Sequence, residues 1–314
     1  METARLALFA LGVALITSRV GLVVHELVGH GVTASAFGAK IEEVRLYATA
    51  GGWISYDRDH PWTWTEALVV QLAGIAVELV MGAAAAVAAW RTRGALAVAL
   101  GGAALGLCLH AGFYLAAGTY HGLGDGALLH RRLGDDRGWL CWPIAAAMVG
   151  GCFVGARRLA AIVRVWLPTP SATRQLMALT VALAAAAGAH AGLASAEVAL
   201  RPSPTYQAIM KPERQRVIDQ DLARWAAAEQ ARGKAPDRGA VAAHRRRLET
   251  ERPRPLPFGA ILAIALALAT AAGAALGRPR PGDVARLPQP AVRRAVTWAV
   301  IAALSISAID ALAA

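Results

Sequence analysis

The sequence predicts an all-α polytopic membrane protein of about seven transmembrane helices, with a small β-hairpin at the membrane surface. Three observations carry that prediction. The chain of 314 residues is 56% hydrophobic and 17% charged, with a mean hydropathy of +0.44. Several apolar runs approach or exceed the roughly 20 residues that cross a bilayer. Between the first two runs, KIEEVRLYA and GWISYD alternate or carry β-branched and aromatic residues, with Gly51-Gly52 between them, as a hairpin does.

The spans fall at about residues 6–34, 67–90, 95–120, 138–166, 175–200, 257–277 and 292–312. The first begins like a signal peptide, but its apolar run continues into a histidine-rich motif, so it is read as a retained span. Span 2 contains QLAGIAVELVMG, with small residues suited to close helix packing and Glu78 inside the membrane. Span 3 carries His110 and is followed by TYHGLGDGALLH, a Gly-rich break with Asp125 between two glycines. Trp139, Trp142 and Trp166 at the ends of span 4 fit interfacial anchors, and Pro168 and Pro170 mark a boundary. Span 5 carries His190 and Glu197, and span 7 carries Asp310. Residues 201–255 are polar and read as a solvated linker or surface helix; RQRVIDQDLARWAAAEQAR is amphipathic and ARGKAPDRG breaks it. The expected organisation is a membrane core at 1–168 and a C-terminal unit at 169–314, with no soluble catalytic domain and no repeat of fixed period.

The net charge of +11 is spread over loops and helix ends, where basic residues face anionic lipid, so the bilayer and not nucleic acid is the expected charged partner. Cys108, Cys141 and Cys152 lie in or beside apolar runs as small packing residues, not a disulfide framework. An alanine-rich chain without asparagine points to a GC-rich bacterial genome, and the expected location is the inner cell membrane, multi-pass. Both orientations stay open. An inside N-terminus places Arg91, Arg93, Arg157, Arg158, Arg278 and Arg280 in the cytoplasm, and the reverse places 201–255 there.

The chemistry concentrates in VGLVVHELVGHGV at 20–32. Two histidines flanking a glutamate suggest a zinc site, because neutral imidazoles ligate the ion and a carboxylate can activate its water. In H-E-x-x-H the histidines are four apart, roughly 40° around a helix. Here His25 and His30 are five apart, which in a regular helix is roughly 140°. A π-bulge absorbs one residue and restores convergence, and Gly29 eases it. The sequence therefore predicts a local widening at 26–29; a regular helix would leave the histidines a structural polar pair. Catalytic zinc commonly takes three protein ligands. Asp125 follows span 3, which runs in the same direction as span 1, so it can meet the motif at similar depth. Glu78 and His110 are harder to place there, Asp310 is a weaker rival, and His121 is placed to orient Asp125. A polar turn between glycines is the plain alternative for Asp125.

HELVGHG at 25–31, the hairpin loop, LAGIAVEL at 72–79 and LGDG at 123–126 together resemble the site-2 protease family of intramembrane zinc metalloproteases, over roughly residues 15–130. The resemblance implies His25, His30 and Asp125 as Zn2+ ligands and Glu26 as catalytic base. It also implies a membrane-spanning or membrane-adjacent polypeptide as substrate, read along the hairpin edge. The chain departs from that family by the inserted residue, and by having no asparagine at all and no proline between 62 and 142. H-E-x-x-G-H is similar to the zinc motif of dipeptidyl-peptidase III, where the longer spacing still ligates zinc. Two other classes stay open. One is a non-catalytic transporter or regulatory scaffold using its intramembrane polar residues; the other is a non-haem iron oxygenase using the two-histidine, one-carboxylate set.

Overall fold

A computed structural model of the protein describes residues 2–167, 171–278 and 287–313; Pro168, Pro170 and Arg280 lie outside them. The first helix, α1, runs Glu2–Ala36 and widens internally into a π-helix over Val24–Val32. Strands β1 (Lys40–Leu46) and β2 (Gly52–Asp57) follow, then helix α2 (Trp64–Arg91), started by a Thr63–Glu66 capping box. Helix α3 runs Gly94–His121 and carries a second π turn at Tyr114–Gly118. The short α4 (Ala127–Leu133) leads into α5 (Gly138–Val163), and α6 spans Ala172–Leu200. Three polar helices come next, α7 (Pro204–Ile209), α8 (Glu213–Ala231) and α9 (Arg238–Glu251). Helices α10 (Phe258–Leu276) and α11 (Gln289–Ala313) complete the described chain.

Among the described residues seven helices are long and apolar enough to cross a membrane: α1, α2, α3, the Gly124–Trp166 segment containing α5, α6, α10 and α11. This is a multi-pass all-α protein with one two-stranded antiparallel sheet. Helix α2 packs along α3, α10 along α5, and both α6 and α11 along α1. Small residues make those contacts close, as they do between helices in lipid; a Cβ on Gly12 would fall 2.8 Å from the Ala295 backbone. Trp139 and Trp142 are exposed, as interfacial anchors should be, but Trp166 is buried, edge-on to Phe9. Cys141 and Cys152 are buried, Cys108 is half-buried, and all three are free.

The hairpin pairs Lys40 with Asp57 through Leu46 with Gly52, with one irregularity between Ile41 and Glu43. Its outer β1 side and its turn are tied down by charged residues from the bundle. The Leu46 N–H donates to Asp310 Oδ1 at 2.7 Å. Glu197 accepts from the backbone N–H groups of Ala48 and Thr49 at 2.6 Å each. Arg19 donates to the Tyr47 carbonyl, and Arg201 pairs with Asp310. Asp310, the weaker rival for the metal, is thus a hairpin anchor. His190 lies 3.4 Å from Ser18 Oγ on α1.

Of the two readings of the polar segment, surface helix holds and solvated linker does not: the amphipathic stretch is helical over Glu213–Ala231 and ends at the predicted break. Helices α8 and α9 form an antiparallel pair around Ile218, Leu222 and Leu248, with Trp225 stacked on His244 at 4.3 Å. Its N-terminal part lies against the hairpin turn, where the Tyr206 ring meets Tyr47 and Trp53 at 5.5 and 6.1 Å.

Candidate metal centre

The π segment of α1 decides the site. The extra residue is absorbed as the sequence predicts, and His25 and His30 converge: their Nε2 atoms lie 3.1 Å apart. Asp125 closes the triangle, with Oδ2 at 2.9 Å from His25 Nε2 and Oδ1 at 3.3 Å from His30 Nε2. Ligand atoms about 2.0–2.1 Å from one zinc in tetrahedral geometry stand roughly 3.3 Å from each other. The nitrogen–nitrogen separation of 3.1 Å is of that size, and Asp125 turns a different oxygen to each imidazole, at 2.9 and 3.3 Å. Among the described residues these three form the group able to hold a metal ion.

Glycines allow the convergence. Helix α2 meets the π segment backbone to backbone, because a Cβ on Gly29 would fall on Gly74. A Cβ on Gly74 would in turn sit 2.6 Å from His25 Nε2. Asp125 is delivered by a tight loop after α3. Gly122 takes the left-handed conformation at φ 67°, the Leu123 N–H donates to the Gly118 carbonyl at 3.0 Å, and Gly126 packs on the Gly118–Thr119 backbone.

The remaining nitrogen of each histidine faces an acceptor. His30 Nδ1 lies 2.7 Å from the Val70 carbonyl, which fixes its Nδ1–H tautomer and leaves Nε2 for a metal. His25 Nδ1 faces Glu78 Oε2 at 3.5 Å. Glu78 is also bound to His110 Nδ1, at 2.8 and 3.0 Å from its two oxygens. Glu78 and His110, harder to place at the depth of the motif from the sequence, therefore sit directly behind His25. Two carboxylates face the two nitrogens of one imidazole ring, so they need not share a depth. His121 does not orient Asp125. Its Nε2 accepts from the Gly259 N–H at 3.4 Å and its ring packs on Tyr120. The tight turn at Gly122 directs the chain after His121 away from it.

Glu26 is buried and lines the same cavity as the triad, and no described residue hydrogen-bonds its carboxylate. That cavity, of about 1420 Å³, runs from the triad and the β2 residues Trp53, Ile54 and Tyr56 along α1 as far as Leu6. With about 1.5 Å of rise per residue, His25 to Leu6 is about 28 Å, close to the thickness of a hydrocarbon core. Tyr56 is a neutral donor there: burial, reinforced by the Asp125 and Glu26 carboxylates, pushes its phenol up to about 12. Tyr206 and Met210 line the mouth, the latter accepting from Tyr114 Oη at 3.5 Å.

The sequence left Glu78 without a role at the site and did not mark the Val70 carbonyl or the Tyr206–Met210 cover. For the first two a signal was present: Val70, Gly74 and Glu78 are spaced by four, one stripe of α2 facing the motif. No protein-family model, curated protein or solved structure matches the chain.

Proposed function

We propose that the protein is a membrane-embedded zinc metallopeptidase of a bacterial inner membrane, acting on a membrane-spanning or membrane-adjacent polypeptide. The observation that carries this reading is the convergence of His25, His30 and Asp125 beside a buried glutamate inside a membrane bundle. Buried ionisable groups in a membrane are costly without a purpose. Two neutral imidazoles and one carboxylate suit zinc, which needs deprotonated ligands and keeps one position open.

His25 and His30 would hold the ion through Nε2, and Asp125 through its carboxylate. Bound zinc supplies acidification of a water to near neutral pKa. Glu26, next to His25 in the chain and lining the cavity, is the group to take that proton and return it to the leaving amine. Tyr56 is a neutral donor in the same cavity, suited to a developing oxyanion. The outer side of β2 has no strand neighbour among the described residues, since the sheet has only two strands. An extended polypeptide can add there by main-chain hydrogen bonds. The resemblance to the site-2 protease family supports the same assignment.

Glutamate adjacent to a ligating histidine favours hydrolysis over oxygenase chemistry, and the test separates an enzyme from a metal-binding scaffold. Glu26→Gln should keep zinc at the wild-type stoichiometry while cleavage of a transmembrane reporter polypeptide falls by about 10²–10⁴-fold, the usual range for a general base. Unchanged turnover in that variant would remove the peptidase reading.

A further inference from the structure

Zinc ligation through His25 Nε2 requires the neutral imidazole with its proton on Nδ1. That atom is buried and has no hydrogen-bond partner within the described structure. His30 has solved the same problem with the Val70 carbonyl at 2.7 Å, leaving His25 as the unfinished member of the pair. The group that stands opposite His25 Nδ1 is Glu78 Oε2, at 3.5 Å, with both side chains almost wholly buried. A shift of about 0.3 Å closes this to the hydrogen-bond range.

Glu78 is itself held in place. His110 Nδ1 donates toward both of its oxygens, at 2.8 and 3.0 Å, and the His110 ring packs on Tyr114 with centroids 4.8 Å apart. On the other side Gly21 leaves space, since a Cβ there would lie 3.3 Å from Glu78 Oε1. Gly74, one turn earlier on α2, is the floor under the His25 ring. Helix α2 thus offers a carbonyl to His30, a flat surface to His25 and a carboxylate to the back of His25, from positions 70, 74 and 78.

We infer that Glu78 is a positioning residue for the metal centre: its carboxylate accepts the Nδ1–H of His25 and holds the ring with Nε2 toward the metal, while His110 fixes the carboxylate. The inference rests on the metal-centre reading and adds a residue to it. A carboxylate behind a ligating histidine fixes the tautomer and raises the basicity of the ligand; its loss typically weakens metal binding by about 10–100-fold.

The test is the zinc affinity of the purified full chain, measured by competition with a chelator, together with the visible spectrum of the cobalt-substituted protein. Glu78→Leu, which removes the acceptor without placing a polar group in lipid, should weaken zinc about 10–100-fold and shift the cobalt bands. Glu78→Gln, which keeps a neutral acceptor, should fall between Glu78→Leu and the wild type. Glu197→Gln removes a different intramembrane carboxylate and should leave affinity and spectrum unchanged. If wild type binds zinc and Glu78→Leu binds it equally well, the positioning role is wrong while the metal centre stands. If Glu197→Gln weakens zinc as much as Glu78→Leu, the effect is general loosening and the positioning role again fails. If wild type takes up no zinc, the metal-centre reading itself fails.

Discussion

At the scale of single residues, the site depends as much on what is missing as on what is present. Gly74 has no side chain where His25 needs room, and Gly29 has none where the π segment meets α2. Gly74→Ala places a methyl 2.6 Å from His25 Nε2, against a ring already confined by Glu78 and His30. Overpacking of this kind costs about 1–3 kcal/mol. The expected outcome is a folded protein with zinc binding reduced at least tenfold, read by metal analysis beside a thermal melt. Normal zinc in that variant would mean that the ring is free to move. The ligand candidates, and the glycine that eases the bulge, could be read from HELVGHG and LGDG because metal chemistry restricts residue type and spacing. Glu78 could not be placed the same way. Its role depends on which way an imidazole ring faces, and depth counted along helices does not report that.

At the scale of elements, the π segment is the device that makes five-residue spacing workable. Deleting Val28 creates H-E-x-x-H, in which a regular helix brings the histidines together without widening. That variant should retain zinc, with an amide exchange pattern of regular helix through 24–32. The hairpin was legible from alternation and Gly51-Gly52, and its strands, Lys40–Leu46 and Gly52–Asp57, lie within KIEEVRLYA and GWISYD. What anchors it was not legible, because Glu197 and Asp310 lie far along the chain and nothing local marks them as its partners. The α8–α9 pair makes a separate prediction. Asp219 accepts from Lys211 at 2.8 Å, Arg245 at 3.0 Å and Gln215 at 3.1 Å. Partial burial pushes its carboxyl up, but these donors outweigh it and hold the folded value below the ordinary 3.8. A depressed carboxylate stabilises the fold above its unfolded value, and that contribution is lost as pH falls through the folded one. Amide protection factors across 213–251, taken relative to the intrinsic exchange rate at each pH, should therefore fall below about pH 4. Asp219→Asn should show faster exchange already at neutral pH, by an amount corresponding to about 0.2–1 kcal/mol. Exchange in that variant indistinguishable from wild type would remove Asp219 from the account of this helix pair.

At the scale of the whole molecule, seven spans form a bundle that brings the start of α2, the ends of α1, α3 and α6, the hairpin and the α7–α9 cover to one side. The spans were legible because length and apolarity alone define them. The cover was not, because a polar segment of mixed charge looks the same in sequence whether it is solvated or folded onto a site. Separation of roles follows from this arrangement: Asp125 belongs to the His25–His30 cluster and Asp310 to the hairpin anchor. Asp310→Ala should loosen the hairpin, raising amide exchange at 40–57, and keep its zinc. Asp125→Ala should lose zinc and keep the hairpin. The most direct measurement is the zinc content of the purified full chain, wild type and Asp125→Ala side by side, after equilibration with zinc and removal of loosely bound ion. The account predicts one zinc per wild-type chain and almost none in the variant; a folded wild-type protein without bound zinc, or a variant that binds as well as wild type, would contradict it.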